Sequence, residues 1–355
     1  MAMFPVFKTK IGEVSQSFAL EDPVERRKYF NLKARPEIEK LRKYLSKNTF
    51  IGFLLGPKNS GKGTYSKLFA EAVGTNSIRH ISVGDIVRNV HKDFEDEDKK
   101  AEIDDFLKKN YRGLVPLHDA LDALLGRSTK NLLPTEIILA LVEREISRSE
   151  KRALFIDGFP RNINQISYSI YFRALMGYRD DPDFFVFIDV PEAVIDERMR
   201  YRVVCPVCQT PRSLKLLKTK EVGYDLKNRE FYLICDNTVC GGARMIGKEG
   251  DELGIQAIRE RIKGDKEVMK TLFNLQGVPK IYLRNAIPVD KAKEYIDDYE
   301  ITPSYRYEVH KATGKINTVE EPWVIKDEEG TDSYSLLPAP VVVSLIKQTV
   351  SVLGL

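Results

Sequence analysis

Residues 49–64 read Thr-Phe-Ile-Gly-Phe-Leu-Leu-Gly-Pro-Lys-Asn-Ser-Gly-Lys-Gly-Thr, and this stretch decides the fold. Its first half, 49–55, is a short apolar run of the kind a buried strand carries. Its second half, 56–64, fits G-x-x-x-x-G-K with a final Gly-Thr. Residues 64–73 then read as a helix. A strand, a glycine-rich turn and a helix N-terminus together make an anion cradle: N–H groups of the turn and the positive end of the helix dipole point at phosphate oxygens. Lys62 adds a point charge for the terminal phosphates, and the Thr64 hydroxyl can reach a phosphate or magnesium. Gly56, Lys58, Asn59, Ser60, Gly61 and Gly63 complete the turn. A chance glycine-lysine turn would lack the flanking strand and helix, so the chain is expected to bind nucleotide.

The bulk numbers set the frame around this loop. With 355 residues, the chain exceeds the usual single-domain size, so a core with inserted or appended pieces is expected. Apolar residues make up 43% and charged residues 30%, ordinary for a soluble globular protein. A net charge of +4 gives no argument for nucleic acid as a partner. No apolar run approaches the length of a membrane span, and no signal-peptide stretch opens the chain, so no membrane contact and a cytoplasmic location are expected.

Strands and helices alternate after the loop. Residues 78–82 read as a strand and 85–127 as mostly helical, with the charged run 92–100 as a solvated helical face. Residues 132–148 read as an amphipathic helix capped near Thr135 and Glu136. Residues 153–157 and 184–190 are apolar runs ending in or near Asp, as buried parallel strands can. Before the loop, 36–45 reads as a docked helix with Pro36 at its first position. Beyond it, 251–275 is expected helical, 305–309 and 315–319 a hairpin, 323–326 the last sheet strand and 339–352 the closing helix. The fold class is therefore α/β, a doubly wound parallel sheet with ligands at the strands' carboxyl ends.

Phosphoryl transfer needs positive charge on equatorial oxygens, in-line placement and exclusion of water. Arginines just after strand ends are the residues to look for. Residues 81–88, Ile-Ser-Val-Gly-Asp-Ile-Val-Arg, place Asp85 and Arg88 at a helix start. Residues 155–161, Phe-Ile-Asp-Gly-Phe-Pro-Arg, end an apolar strand in Asp157, as a magnesium-orienting carboxylate should, and follow it with Gly158 and Arg161. Asp157 alone would serve equally as a turn cap. Arg198 and Arg202 are spaced i, i+4, expected on one helix face. Arg259 and Arg261 lie on a later helix.

Taken together, these pieces make the chain resemble the adenylate kinase family of nucleoside monophosphate kinases. The matching stretches are 56–64, 82–88, 132–144, 157–165, 189–202 and 259–262, in the family's order. The resemblance implies that Arg88 and Arg161 hold the acceptor monophosphate and that Gln165 reads its base. It implies Arg198 at the donor base, Arg202 and Arg261 clamping the transferring phosphates, and Asp157 with Asp85 organising magnesium water. Three departures stand out. Val83 occupies a position near the acceptor base where the family usually has Thr, which opens the acceptor to UMP or CMP. The region between Arg88 and residue 132 is longer than usual. A further arginine of the family has no clear match, with Arg244 and Lys248 as the candidates.

The four cysteines, Cys205, Cys208, Cys235 and Cys240, form C-x2-C, 26 intervening residues and C-x4-C. Four thiolates can close a tetrahedral Zn2+ site with no open position, a structural arrangement. Four reduced, unliganded thiols are the alternative. The family resemblance places such a zinc-bearing segment as a lid between the helices of Arg198 and Arg261. Basic and aromatic residues between the cysteine pairs, among them Lys215, Lys218, Tyr224 and Phe231, also suit a nucleic-acid strand. Glu221, Asp225 and Glu230 dilute that patch and favour the lid.

The resulting expectation is a monomeric, P-loop, magnesium-dependent kinase that transfers phosphoryl from ATP to a nucleoside monophosphate, AMP first. The alternatives are the same chemistry on UMP or CMP, or a catalytically silent nucleotide-binding protein whose zinc ribbon meets RNA or a protein. The division expected is an N-terminal extension (1–48), core with phosphate loop (49–82), helical acceptor-binding insertion or flap (83–131), core (132–202), zinc lid (203–247), and core completion with hairpin and closing helix (248–355).

Overall fold

A computed structural model describes residues 4–12, 16–126, 134–149, 151–160, 180–248, 250–310 and 315–355. In chain order the first elements are α1 (Pro23–Leu45), β1 (Ile51–Leu55), α2 (Lys62–Val73), β2 (Ile78–Ser82), α3 (Val83–Asp93), α4 (Glu97–Asn110) and α5 (Leu117–Leu124). Next come α6 (Thr135–Ser147), β3 (Ala153–Asp157), β4 (Asp183–Asp189) and α7 (Glu192–Arg200). The cysteine segment holds β5 (Arg202–Val204), β6 (Pro211–Ser213), β7 (Val222–Asp225), β8 (Glu230–Leu233) and β9 (Ile246–Gly247). Then α8 (Arg259–Phe273) and β10 (Lys280–Arg284) return to the core. The chain closes with β11 (Ala286–Pro288), α9 (Val289–Tyr295), β12 (Pro303–Val309), β13 (Ile316–Pro322), β14 (Val324–Lys326), β15 (Asp332–Ser335) and α10 (Pro338–Val352).

The apolar runs sort themselves by the period of two. Phe50 and Leu54 with Phe184, Val186 and Ile188 enter one core, beneath α1, α2, α7 and α10. Ile51, Phe53 and Leu55 with Phe185 and Phe187 enter the other, beneath α3, α6 and α8. A strand whose both faces are covered has no reason to alternate polar residues, which is why β1 and β4 read as continuous apolar runs. Five parallel strands result, in the order β10-β4-β1-β3-β2. The order reverses at β1, between β4 and β3, and the phosphate loop leaves β1 at that switch point.

Several expectations are corrected here. The fifth strand of the central sheet is β10; residues 324–326 instead form β14 in a separate antiparallel sheet, β11-β15-β14. Pro36 opens the second of two helical stretches that run on as α1, and the first begins earlier, at Pro23. Pro36 lies two residues after Ala34 breaks the helical dihedrals (φ −151, ψ 26), because Pro lacks the N–H and crowds the preceding turn. The run 92–100 is not one helical face: α3 ends, and Asp96 accepts from Lys99 N to start α4. The N-cap of α6 is Pro134, with no side-chain cap bond, so no capping at Thr135 occurs. Residues 254–258 form a 3-10 turn that precedes α8. Arg202 lies not on the helix of Arg198 but in β5, since α7 ends at Arg200 and the β-branched Val203 and Val204 follow. The hairpin is present as β12 and β13; its turn, 311–314, lies outside the described residues, as do 132 and 133.

Pieces beyond the central sheet are wired into it. Arg42 on α1 donates to Val73 O (2.9 Å) and Ala72 O (2.8 Å), satisfying carbonyls at the end of α2. Glu300, fully buried, accepts from Thr9 Oγ1 and Tyr29 Oη at 2.5 Å each, while Lys33 reaches Asp297 at 2.6 Å. The hairpin lies against the cysteine segment: Tyr305 N donates to Lys215 O (2.7 Å), Tyr307 Oη donates to Leu214 O (2.7 Å), and the Tyr307 ring sits 5.5 Å from Phe231.

Candidate functional site

The loop between β1 and α2 is shaped by close contacts. A Cβ on Gly56 would stand 2.9 Å from both Ile188 O and Ser60 Oγ, so only glycine lets the chain leave β1 so tightly. Gly61, at φ +98, is the N-cap of α2 and provides no side-chain cap. The first-turn N–H groups of α2 therefore lack side-chain acceptors, which leaves them for an anion. Lys62 curls back across the loop, its Nζ donating to Gly56 O and Pro57 O (2.8 Å each) and standing 3.7 Å from Asp157. Lys58, Gly63 and Thr64 complete the rim, Thr64 being exposed in the first turn.

Three arginines from separate elements arrive at this loop. Arg198, on α7, donates to Asn59 O (3.4 Å) and Asn285 Oδ1 (2.9 Å). Arg202, from β5, donates to Asn59 Oδ1 (3.2 Å) and grips Asp251 with two N–H groups. Asn59 thus joins the two arginines, although they share no helix face. Arg261, on α8, lies 4.0 Å from Asp265 and shares a narrow cleft with Lys62, Asp157, Gly158 and Pro160. Burial, then Arg261, Arg202 and Lys248, pull the Lys58 ammonium below its ordinary pKa, the mark of crowded cations. Lys248 therefore stands with this cluster. Arg244 does not: it pairs with Asp225 at 3.0 Å and stacks on Tyr232 at 4.2 Å.

Asp157 ends β3 next to the loop, paired in register with Leu54 and Ser82. His80, which the sequence reading passed over, places Nε2 3.9 Å from Asp157, and burial pushes its pKa down against the pull of that carboxylate. At the end of β2, Val83 is buried, while Arg88 is exposed and paired with Asp85. Arg161 and Gln165 lie outside the described residues. A larger cavity, about 480 Å3, lies away from the loop, between α7 and α8, lined by Glu192, Arg259, Lys263 and Lys266. Lys266 is already paired with Glu192 there, so the chemistry is placed at the loop instead.

The four cysteine sulfurs all lie within 4.8 Å of one another, with Cys208 and Cys235 at 3.7 Å. A tetrahedral Zn2+ with bonds of about 2.3 Å sets its sulfurs about 3.8 Å apart, so the donor set fits. Local backbone makes the two knuckles: Gln209 N donates to Cys205 O (3.0 Å), and Gly241 and Gly242 take φ +58 and +73 after Cys240. Hydrogen bonding to Thr210 pulls the Cys208 thiol down to about 6, while burial and neighbouring sulfurs push Cys240 up to about 12. Four crowded thiols resist ionising together, and a divalent cation among them removes that resistance.

Fold and site define a P-loop α/β protein with a four-cysteine lid. A family model described as an AAA domain matches residues 55–203. The adenylate kinase of Clostridium tetani is 30% identical over 252 residues, covering 70% of this chain and 94% of its own. That of Clostridium acetobutylicum is 28% identical over 250 residues, 66% of this chain and 97% of its own. That of Thermotoga petrophila is 31% identical over 168 residues, 47% of this chain and 64% of its own. The chain belongs to the adenylate kinase family.

Proposed function

We propose that this protein reversibly transfers the terminal phosphoryl group of ATP to a nucleoside monophosphate, with AMP as the first acceptor. The observation that carries this is the convergence of Arg198, Arg202 and Arg261, from three elements, on the loop that holds Lys62 beside Asp157. In this reading the N–H groups of 56–64 and Lys62 bind the donor phosphates, and Lys62 exchanges its loop carbonyls for them. Arg202 and Arg261 stabilise charge on the transferring group, Arg198 holds the donor base, and no side chain acts as nucleophile. Arg88, Arg161, Val83, Gly158 and Gln165 form the acceptor side.

Magnesium, accompanying ATP, supplies charge neutralisation on the phosphate oxygens; Thr64, Asp157 and Asp85 are the residues that would hold it or its water. Zn2+ would be structural, held by the four cysteines. Residues 83–131 act as acceptor flap and 203–247 as lid, the two closing to expel water. Among the described residues no helix is long and apolar enough to cross a membrane.

The test pairs ATP in turn with AMP, CMP, UMP, GMP and dTMP and follows ADP formation. Turnover with AMP above all others supports the reading, and preference for CMP or UMP transfers it to those acceptors, where the buried apolar Val83 offers no hydroxyl. Tight ATP binding without turnover on any acceptor overturns it in favour of a silent binding protein. Lys62→Met should cost at least about 100-fold in turnover with an unchanged fold, since it removes a preorganised charge on the developing transition state.

A further inference from the structure

Asn285 follows β10, after the last of the motif stretches quoted from the sequence, 259–262. It is fully buried, and nearly every hydrogen-bonding group on it is taken. Its N–H donates to Asp189 O (2.9 Å), its carbonyl accepts from Leu336 N (3.4 Å), and its Nδ2 donates to Leu336 O (2.9 Å). Its Oδ1 accepts from Ser335 Oγ (2.9 Å) and from Arg198 Nη2 (2.9 Å). The orientation of this amide follows from its partners: a carbonyl only accepts and a guanidinium only donates, so Nδ2 must face Leu336 and Oδ1 must face Arg198. The Tyr65 ring, buried beside them, lies against Gly61 of the phosphate loop.

We propose that Asn285, itself oriented by Ser335 and Leu336, is a positioning residue that fixes the Arg198 guanidinium for the donor nucleotide. This rests on the kinase reading above for the identity of the donor. Arg198 has few other restraints: among the described residues its remaining hydrogen bond is to Asn59 O at 3.4 Å, on the loop that must receive the phosphates. A long side chain held at one end only would lose rotamer freedom on binding, and Asn285 removes that cost beforehand. The C-terminal strand β15 thereby reaches the donor side of the site through two hydrogen bonds.

The experiment is a double-mutant cycle on the full chain, with ATP affinity read by calorimetry and ATP and AMP kinetics read separately. Asn285→Ala is expected to weaken ATP binding about tenfold, the scale of a buried hydrogen bond to a charged group. The ATP KM rises in step while the AMP KM stays constant. In an Arg198→Ala background, the same change should alter ATP affinity by less than about twofold, since the residue it acts through is gone. Ser335→Ala leaves the Arg198 bond in place and should give a smaller loss in the same direction, which serves if Asn285→Ala folds poorly. Equal losses with and without Arg198, or ATP and AMP constants that rise together, overturn the proposal. Binding is read without turnover, so a wild-type protein that binds ATP and transfers nothing fails the kinase reading alone, and the cycle still decides the role of Asn285.

Discussion

Gly61→Ala tests the geometry of the phosphate loop directly. Gly61 sits at φ +98, where an alanine costs about 1–2 kcal/mol. Its Cβ would stand 2.9 Å from Tyr65 Cζ and 3.1 Å from Tyr65 Oη. That ring is only 1% exposed and packed into the core beside α2, so it cannot swing aside without opening the core. Overpacking of this kind adds about 1–3 kcal/mol, for about 2–5 kcal/mol together. An unfolding entropy of about 2.1 cal/mol/K per residue over 355 residues is about 0.75 kcal/mol/K, so Tm should fall by about 3–7 °C. Gly63→Ala is the internal control: it is helical, and its Cβ would meet nothing nearer than His80 Cε1 at 3.7 Å. Alanine there replaces a first-turn glycine at no steric cost, gains at most about 0.5–1 kcal/mol and should raise Tm by no more than about 1 °C. Scanning calorimetry of both variants without nucleotide makes the comparison. Equal shifts for the two, or a Gly61→Ala protein that melts with wild type, would refute the claim that Tyr65 and the positive φ exclude a side chain at 61.

Three further outcomes follow from the same contacts. Removing metal from the four-cysteine cluster with a strong chelator should strip amide-exchange protection from 203–247 before the central sheet, because zinc binding in such modules is worth on the order of 10 kcal/mol; unchanged protection after verified metal loss counts against zinc. Burial pushes Glu143 up to about 7 from 4.5, so between those values the native carboxyl holds a proton that the unfolded chain has lost. Stability then falls as pH rises through that window, and Glu143→Gln should flatten the fall; urea unfolding on either side of the window that shows the same slope in both proteins overturns this. Tyr307→Phe deletes the bond to Leu214 O and should cost about 0.5–1.5 kcal/mol, read as faster exchange in β12 and β6 with the central strands unaffected; uniform loosening would show that the hairpin does not act locally.

What could be read from the chain depended on whether both faces of an element are covered. β1, β3 and β4 are buried on two sides and appear as apolar runs. β10 is one edge of the sheet, paired among the described residues with β4 alone, and its Lys280 and Arg284 break the apolar signature. Trp323-Val-Ile reads as more apolar than β10 and drew the assignment of the last strand, yet Val324 and Lys326 are exposed on a short antiparallel strand. α1 shows a second limit. Its first half, 23–33, has Asp22 as N-cap and Pro23 at its first position, a start signal as good as Pro36. The later proline opens only the second stretch, after the kink at Ala34, so a reading that begins there omits the earlier turns.

The site divides along similar lines. The loop, Asp157 and the cysteine pairs are local patterns, with every residue a few positions from the next, and geometry inside a turn or knuckle can be inferred from spacing. The supports of the arginines are not local. Arg202 meets Asp251 across 49 positions and Arg198 meets Asn285 across 87. An asparagine after an edge strand and an aspartate in a glycine-rich turn carry no signal by themselves, since both types are common in loops for local reasons. Helical spacing of Arg198 and Arg202 suggested a shared face, and the pair does meet at Asn59, but by a different route: one arginine from the end of a helix and the other from a strand. Spacing therefore identified which charges the loop gathers. Only the fold shows what holds each charge still, and for Arg198 that is a residue 87 positions further along the chain.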